Sequence, residues 1–163
     1  MTQTTSGRSC GPCTACCKPF AIDEIGKVDA GWCKHSIVRK GCSIYDARPH
    51  ACRIFKCAWL AGIGDENLRP DRIGFLILAG KLDVPEREIV HIHFYEVRAG
   101  ALSTAYAQEF VQLNVDAGRV VSEHHMDGKD KYTAGTRFSR HYSEEDAELI
   151  RTAVLAECEA VAR

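Results

Sequence analysis

Cys10-Gly11-Pro12-Cys13-Thr14-Ala15-Cys16-Cys17 is the stretch on which the reading of this chain turns. It packs four cysteines into eight residues with the spacing C-x2-C-x2-C-C. Two residues between cysteines let one backbone turn present two sulfurs to one ion, about 2.3 Å from zinc. Gly11 and Pro12 suit the tight backbone of such a knuckle. Four ligands from so short a segment crowd one tetrahedral ion, so cysteines further along must complete the coordination.

Cys33, Cys42, Cys52 and Cys57 follow, with Gly31, Gly41 and Pro49 close by to place most of them on loops. Eight of the nine cysteines therefore lie in the first 57 residues. Eight thiolates can build two zinc sites of four cysteines each. They can equally hold a four-iron cluster on four ligands and leave four for a second site or for structure. Soft thiolate donors suit zinc, copper(I) and iron–sulfur clusters alike, so spacing leaves the metal open. Unligated packing and disulfides are the competing readings, and dense clustering in a chain without a secretory signal weighs against both. His35 and His50 lie inside the cluster region as lesser ligand candidates.

Residues 10–60 are rich in Cys, Gly, Pro and Lys/Arg and show little periodicity. Such a segment buries too little apolar surface to order itself, and a bound metal would supply the missing free energy, on the order of 10 kcal/mol for structural zinc. Residues 1–60 also carry nine Lys/Arg against four Asp/Glu, an excess of +5 in a chain of net charge −1. Nearby cations would offset thiolate charge, although solvated surface is an equal reading. Aromatic residues do not interleave with the basic ones, which argues against nucleic acid as a partner.

Outside this segment the pattern becomes ordinary. Residues 1–9 are polar and read as a disordered leader with no signal-peptide core. Residues 61–163 read as an α+β region packed against the cysteine region. Within it, residues 72–79 and 88–97 read as strands, the second alternating Ile89, His91, His93, Tyr95 and Val97 against Val90, Ile92 and Phe94. Ser103 caps a helix ending before Gly118, with Tyr106, Phe110, Leu113 and Ala117 as its apolar stripe. Residues 119–126 and 129–136 read as two further strands joined at Asp127-Gly128. Ser143 begins a last helix whose apolar face is Ala147, Ile150, Val154, Cys158 and Val161, which makes Cys158 a core residue rather than a ligand. The fold class is thus α+β: a small metal-organised cysteine-rich part, an antiparallel or mixed sheet, and two C-terminal helices. His91 and His93 can meet one metal, but the wetter face of a strand is their commoner role. His124 and His125 point to opposite sides of a strand and make a poor chelate.

Residues 10–60 resemble the YkgJ-type family of cysteine-cluster proteins, described as zinc- or iron-chelating domains. The likeness rests on the C-x2-C-x2-C-C opening, a lone cysteine, and the run Cys42-Ser43-Ile44-Tyr45-Asp46-Ala47-Arg48-Pro49-His50-Ala51-Cys52-Arg53-Ile54-Phe55-Lys56-Cys57. It covers about a third of the chain. The resemblance implies Cys10, Cys13, Cys16, Cys17, Cys33, Cys42, Cys52 and Cys57 as ligands of zinc or iron. Arg48 and Arg53 are then candidates to donate hydrogen bonds to sulfur, with Tyr45 and Phe55 walling the site. A flagellin lysine methylase has a similar cluster, which keeps an iron–sulfur enzyme or redox protein as the alternative to a binding protein.

No glycine-rich phosphate loop, Gly-x-Ser-x-Gly elbow or His-Glu-x-x-His motif is present. The balance leans away from an enzyme. The longest apolar run, residues 73–79, is too short to span a bilayer. The expectation is a cytoplasmic metal-binding protein with metal ions, and at most a protein, as partners.

Overall fold

The computed structural model describes residues 7–85, 87–128 and 131–161, with the last four as backbone only. The N-terminal third has little regular structure. It contains a 3-10 turn at Ala15–Cys17, a two-stranded antiparallel hairpin of β1 (Ser36–Ile37) and β2 (Gly41–Cys42), and a one-turn helix α1 (His50–Ile54). A second short helix, α2 (Pro70–Ile73), leads into the sheet.

Four strands form that sheet: β3 (Phe75–Val84), β4 (Arg87–Glu96), β5 (Val120–Met126) and β6 (Tyr132–Arg137). They lie in sequence order. β3 runs antiparallel to β4, β4 parallel to β5, and β5 antiparallel to β6, which makes the sheet mixed. The parallel step requires a crossover, supplied by α3 (Ala105–Asp116). α4 (Glu144–Val161) closes the fold.

The first strand starts three residues later than the sequence suggests and runs on to Val84. Pro70 occupies the first turn of α2, where its missing N–H costs nothing, and Gly74 at φ 88° ends that helix. Gly80 does not break the strand. It pairs with His91 and places no side chain beside it. The caps of the two long helices come from hydroxyls, Thr104 accepting from the Ala107 N–H at 3.3 Å and Ser143 from the Asp146 N–H at 3.1 Å.

Period-two alternation sorts the side chains onto two faces. On one face, Phe75, Ile92, Phe94 and Val121 pack under Ala107, Val111 and Val115 of α3. The helix thus buries small residues, and not the larger stripe that the spacing suggested. Tyr106 and Leu113 are exposed and Phe110 is only partly covered. Small side chains let the helix axis approach the sheet closely. On the other face, α4 covers Leu82, Val84, Ile89 and Val120 with Ile150 and Val154, as its apolar periodicity predicts. The far end of this face, Leu76, Leu78, Tyr95 and Val97, packs against Ala15, Cys57, Leu60 and Phe20. His91 and His93 lie between these two coverings.

Glu96 closes the α3 side. Its buried carboxylate accepts from the Leu102 N–H at 3.0 Å and the Met126 N–H at 2.9 Å, tying the start of the crossover to the end of β5. Glu96→Gln turns one acceptor into a donor that faces an N–H. The expected cost is about 1–2 kcal/mol, read as a lower denaturant midpoint with unchanged slope.

Candidate metal centre

Short backbone turns bring the cysteines together. Cys10 and Cys13 are joined by a Cys13 N–H to Cys10 C=O bond of 2.9 Å, and Cys17 bonds back to Thr14 at 2.9 Å. The Cys33 N–H reaches the Cys17 carbonyl at 3.0 Å, which draws the lone cysteine onto the opening run. Gly41, at φ 102°, presses its backbone against the first knuckle; a Cβ there would stand 2.4 Å from the Gly11 carbonyl oxygen. This seats Cys42. Glu24 seats Cys52: its carboxylate accepts from the His50 and Ala51 N–H groups at 2.9 and 3.1 Å and caps α1 from a distant loop. Cys57 Sγ accepts the Leu60 N–H at 3.4 Å, a bond that favours a thiolate.

Packing sorts these sulfurs into two sets, although their fields overlap. Cys10, Cys13, Cys16 and Cys57 share the apolar patch around Ala15, Leu60 and Leu76, and Cys10 also feels Cys17 of the other set. Cys52 feels Cys17, Cys33 and Cys42. The adjacent pair Cys16 and Cys17 joins the sets. The interaction between the two thiols raises Cys16 well above the ordinary thiol range and lowers Cys17 below it. Burial pushes Cys13 up to about 12, and Cys10, Cys52 and Cys57 up as well. Bare thiolates are therefore costly here and call for cations. All eight cysteines are free thiols, and their chemistry suits soft metals. Among the described residues no three of these sulfurs lie within 4.8 Å of one another, so closing either set on an ion requires the side chains to turn inward.

Two fixed cations stand among the sulfurs. Lys27 is buried, with Nζ donating to the carbonyls of Phe20, Val28 at 2.8 Å and Lys18 at 3.1 Å. Its charge bears on Cys33, Cys17 and Cys16, and burial lowers its pKa. Nothing in the sequence singled this lysine out. Arg48 donates from Nε to the Tyr45 carbonyl at 2.7 Å and lies 3.7 Å over the Tyr45 ring, and its charge bears on Cys10 and Cys17. Arg53 instead lies in the field of Glu24. Phe55 packs against the first set, whereas Tyr45 is partly exposed at the rim of the cleft beside Cys10. Neither His35 nor His50 joins a trio of converging ligand atoms among the described residues.

A cleft of about 430 Å³ opens over Cys10, lined in part by Arg8, Arg48, Arg53 and Lys56. Arg8, from the stretch expected as a leader, donates to the carbonyls of Trp59, Ile63 and Gly64 at 2.9, 3.3 and 2.7 Å. Residues 1–6 and the side chain of Cys158 lie outside the described residues.

The histidines depart from expectation. His91 is fully buried and His93 nearly so, because α4 and the cysteine region cover what the alternation suggested was a wet face. His91 Nδ1 lies 2.7 Å from Glu157 Oε2, and its Nε2 lies 2.8 Å from Ser122 Oγ. His93 Nδ1 is 3.2 Å from His124 Nε2, and His124 stacks on Tyr95 at 3.9 Å. His125 faces the other side, 3.6 Å from Glu96, as adjacency on a strand dictates. Burial holds His91 and His93 down to about 4 and His124 to about 3, so all three are neutral imidazoles at neutral pH.

Comparison of the chain with known protein families, with characterised proteins and with solved structures finds no match.

Proposed function

We propose that this is a metal-binding protein that holds zinc or iron, the latter as an iron–sulfur cluster, on the eight cysteines of its N-terminal third. The observation that carries this reading is that Cys10, Cys13, Cys16 and Cys57 share one apolar patch while Cys52 lies in the field of Cys17, Cys33 and Cys42, with the charges of Lys27 and Arg48 set against them. Four thiolates per set match the ligand count of a structural zinc ion or of one cluster. The resemblance to YkgJ-type proteins points the same way. Free thiols in this number suit a reducing cytoplasm, and no helix among the described residues is long and apolar enough to cross a membrane. Exposed Val28, Val38, Ile54 and Ile63 around the cysteine region favour a protein partner.

The alternative, an iron–sulfur enzyme or redox protein, gains one specific support. The cleft over Cys10 is lined by four basic side chains and would admit an anionic substrate beside a cysteine-bound metal. Purification without air, followed by metal and sulfide analysis, separates the readings. The binding reading expects filled, four-cysteine coordination with no exchangeable ligand. Colourless protein with two zinc ions excludes the cluster enzyme. Brown protein carrying iron and sulfide excludes the zinc site. Protein that takes up no metal through its cysteines overturns the proposal.

A further inference from the structure

We propose that His91, His93 and Glu157 form a second metal site, chemically separate from the cysteines, for one divalent first-row transition ion with a coordination position left open. Ligand atoms of these three residues all lie within 4.8 Å of one another, the one such convergence of His, Cys, Asp and Glu among the described residues. The two carboxylate oxygens address the two rings separately. Glu157 Oε2 lies 2.7 Å from His91 Nδ1, and Oε1 lies 3.7 Å from His93 Nε2. Donors about 2.0–2.2 Å from a common ion stand roughly 3–3.5 Å apart. The observed separations bracket that range.

The surroundings offer each ring a partner for the tautomer that a metal needs. His93 Nδ1 is 3.2 Å from His124 Nε2; a proton on Nδ1 donates there and leaves Nε2 as a lone pair facing Glu157. His91 Nε2 can donate to Ser122 Oγ, which in turn is 3.0 Å from Thr136 Oγ1. That leaves His91 Nδ1 as the second lone pair. Without an ion the short His91–Glu157 contact keeps the ring's one proton on Nδ1; an entering ion takes that nitrogen and the ring carries its proton on Nε2 toward Ser122 instead. An imidazole with its far nitrogen tied to a hydrogen-bond partner is the usual orientation device at metal sites. An apolar core would fill this space with aliphatic side chains, whereas here two tilted rings lie 3.8 Å apart with a carboxylate reaching both.

Two imidazoles and a carboxylate are the donor set of open zinc and ferrous sites, in which water or substrate takes the remaining positions. Glu157 is about one-third exposed, so the ion has access from the α4 side. Tyr95, stacked on His124, meets Phe20 of the cysteine region at 5.0 Å. The site therefore abuts the N-terminal part without sharing a ligand with it.

The test titrates cobalt(II) into the full chain already loaded at its cysteines. One further equivalent should bind with d–d absorption and no thiolate charge-transfer band. Glu157→Gln and His93→Gln should each weaken it by at least tenfold. Ser122→Ala should weaken it about tenfold by freeing the His91 ring, and His125→Ala, on the opposite face, should leave it unchanged. Binding equal to wild type in the first two variants overturns the site, as does cobalt that appears only with thiolate absorption. X-ray absorption of the wild-type complex gives an answer independent of any variant: a nitrogen and oxygen shell supports the site, and a sulfur shell refutes it. Loss of the thiolate-bound metal alone would instead count against the cysteine proposal.

Discussion

Cys13→Ser should empty one metal site and release the N-terminal third from the sheet. Cys13 shares one apolar patch with Cys10, Cys16 and Cys57, and burial there raises its thiol pKa to about 12. A hydroxyl is a poor ligand for a soft ion and cannot supply the thiolate charge. The loss approaches the free energy of a structural zinc site, about 10 kcal/mol or more, which exceeds what the small apolar patch around Ala15, Leu60 and Leu76 can replace. Metal content should fall by one full site, and limited proteolysis should open residues 10–60. The sheet should survive, because Phe75, Phe94, Val111 and Val121 form a core of their own. Cys42→Ser should empty the other set and leave the first filled. Unchanged metal content and melting in both variants would rule out the cysteine ligation proposed here.

Acid should loosen the sheet as pH falls from about 6.5 towards 4, a window that opens above the range in which carboxylates titrate. Burial depresses His91 and His93 to about 4 and His124 to about 3, against an ordinary value of about 6.5 when unfolded. A base held neutral in the folded state binds fewer protons there than in the unfolded chain. Its stabilisation is complete above about pH 6.5 and is lost as pH falls towards the folded value. For the fully buried His91 alone this amounts to roughly 3 kcal/mol, and its two neighbours act in the same direction. Amide exchange in β4 and β5, followed without added metal, should accelerate across this window. His124→Phe keeps an aromatic ring on Tyr95 and removes one titrating group, so it should flatten the dependence. A flat profile in the unmodified chain would refute the account.

The long periodic segments were legible before the structure. The β4 alternation, the capped α4 and the crossover helix stand where the pattern of 88–97, the Ser143 cap and the Gly118 stop place them. The buried stripe of α3 departs from its largest apolar residues because size is a poor guide on a helix that must approach a sheet closely. Ala107, Val111 and Val115 went inside, while Tyr106 and Leu113 stayed out. The histidine site was half legible. The i, i+2 spacing of His91 and His93 puts both on one face, but Ser122, His124 and Glu157 join them from β5 and α4.

Sequence alone determined the cysteine positions, the tight turns between them and the alternation of the strands. These are local consequences of spacing, of glycine and proline geometry, and of the two-residue strand period. Tertiary structure alone decided which cysteines share the apolar patch around Ala15, Leu60 and Leu76, that Lys27 is buried, and that the His91 face is dry. Each of these depends on which distant segment packs on which face, and that follows from burial of the whole chain at once rather than from any local run of residues.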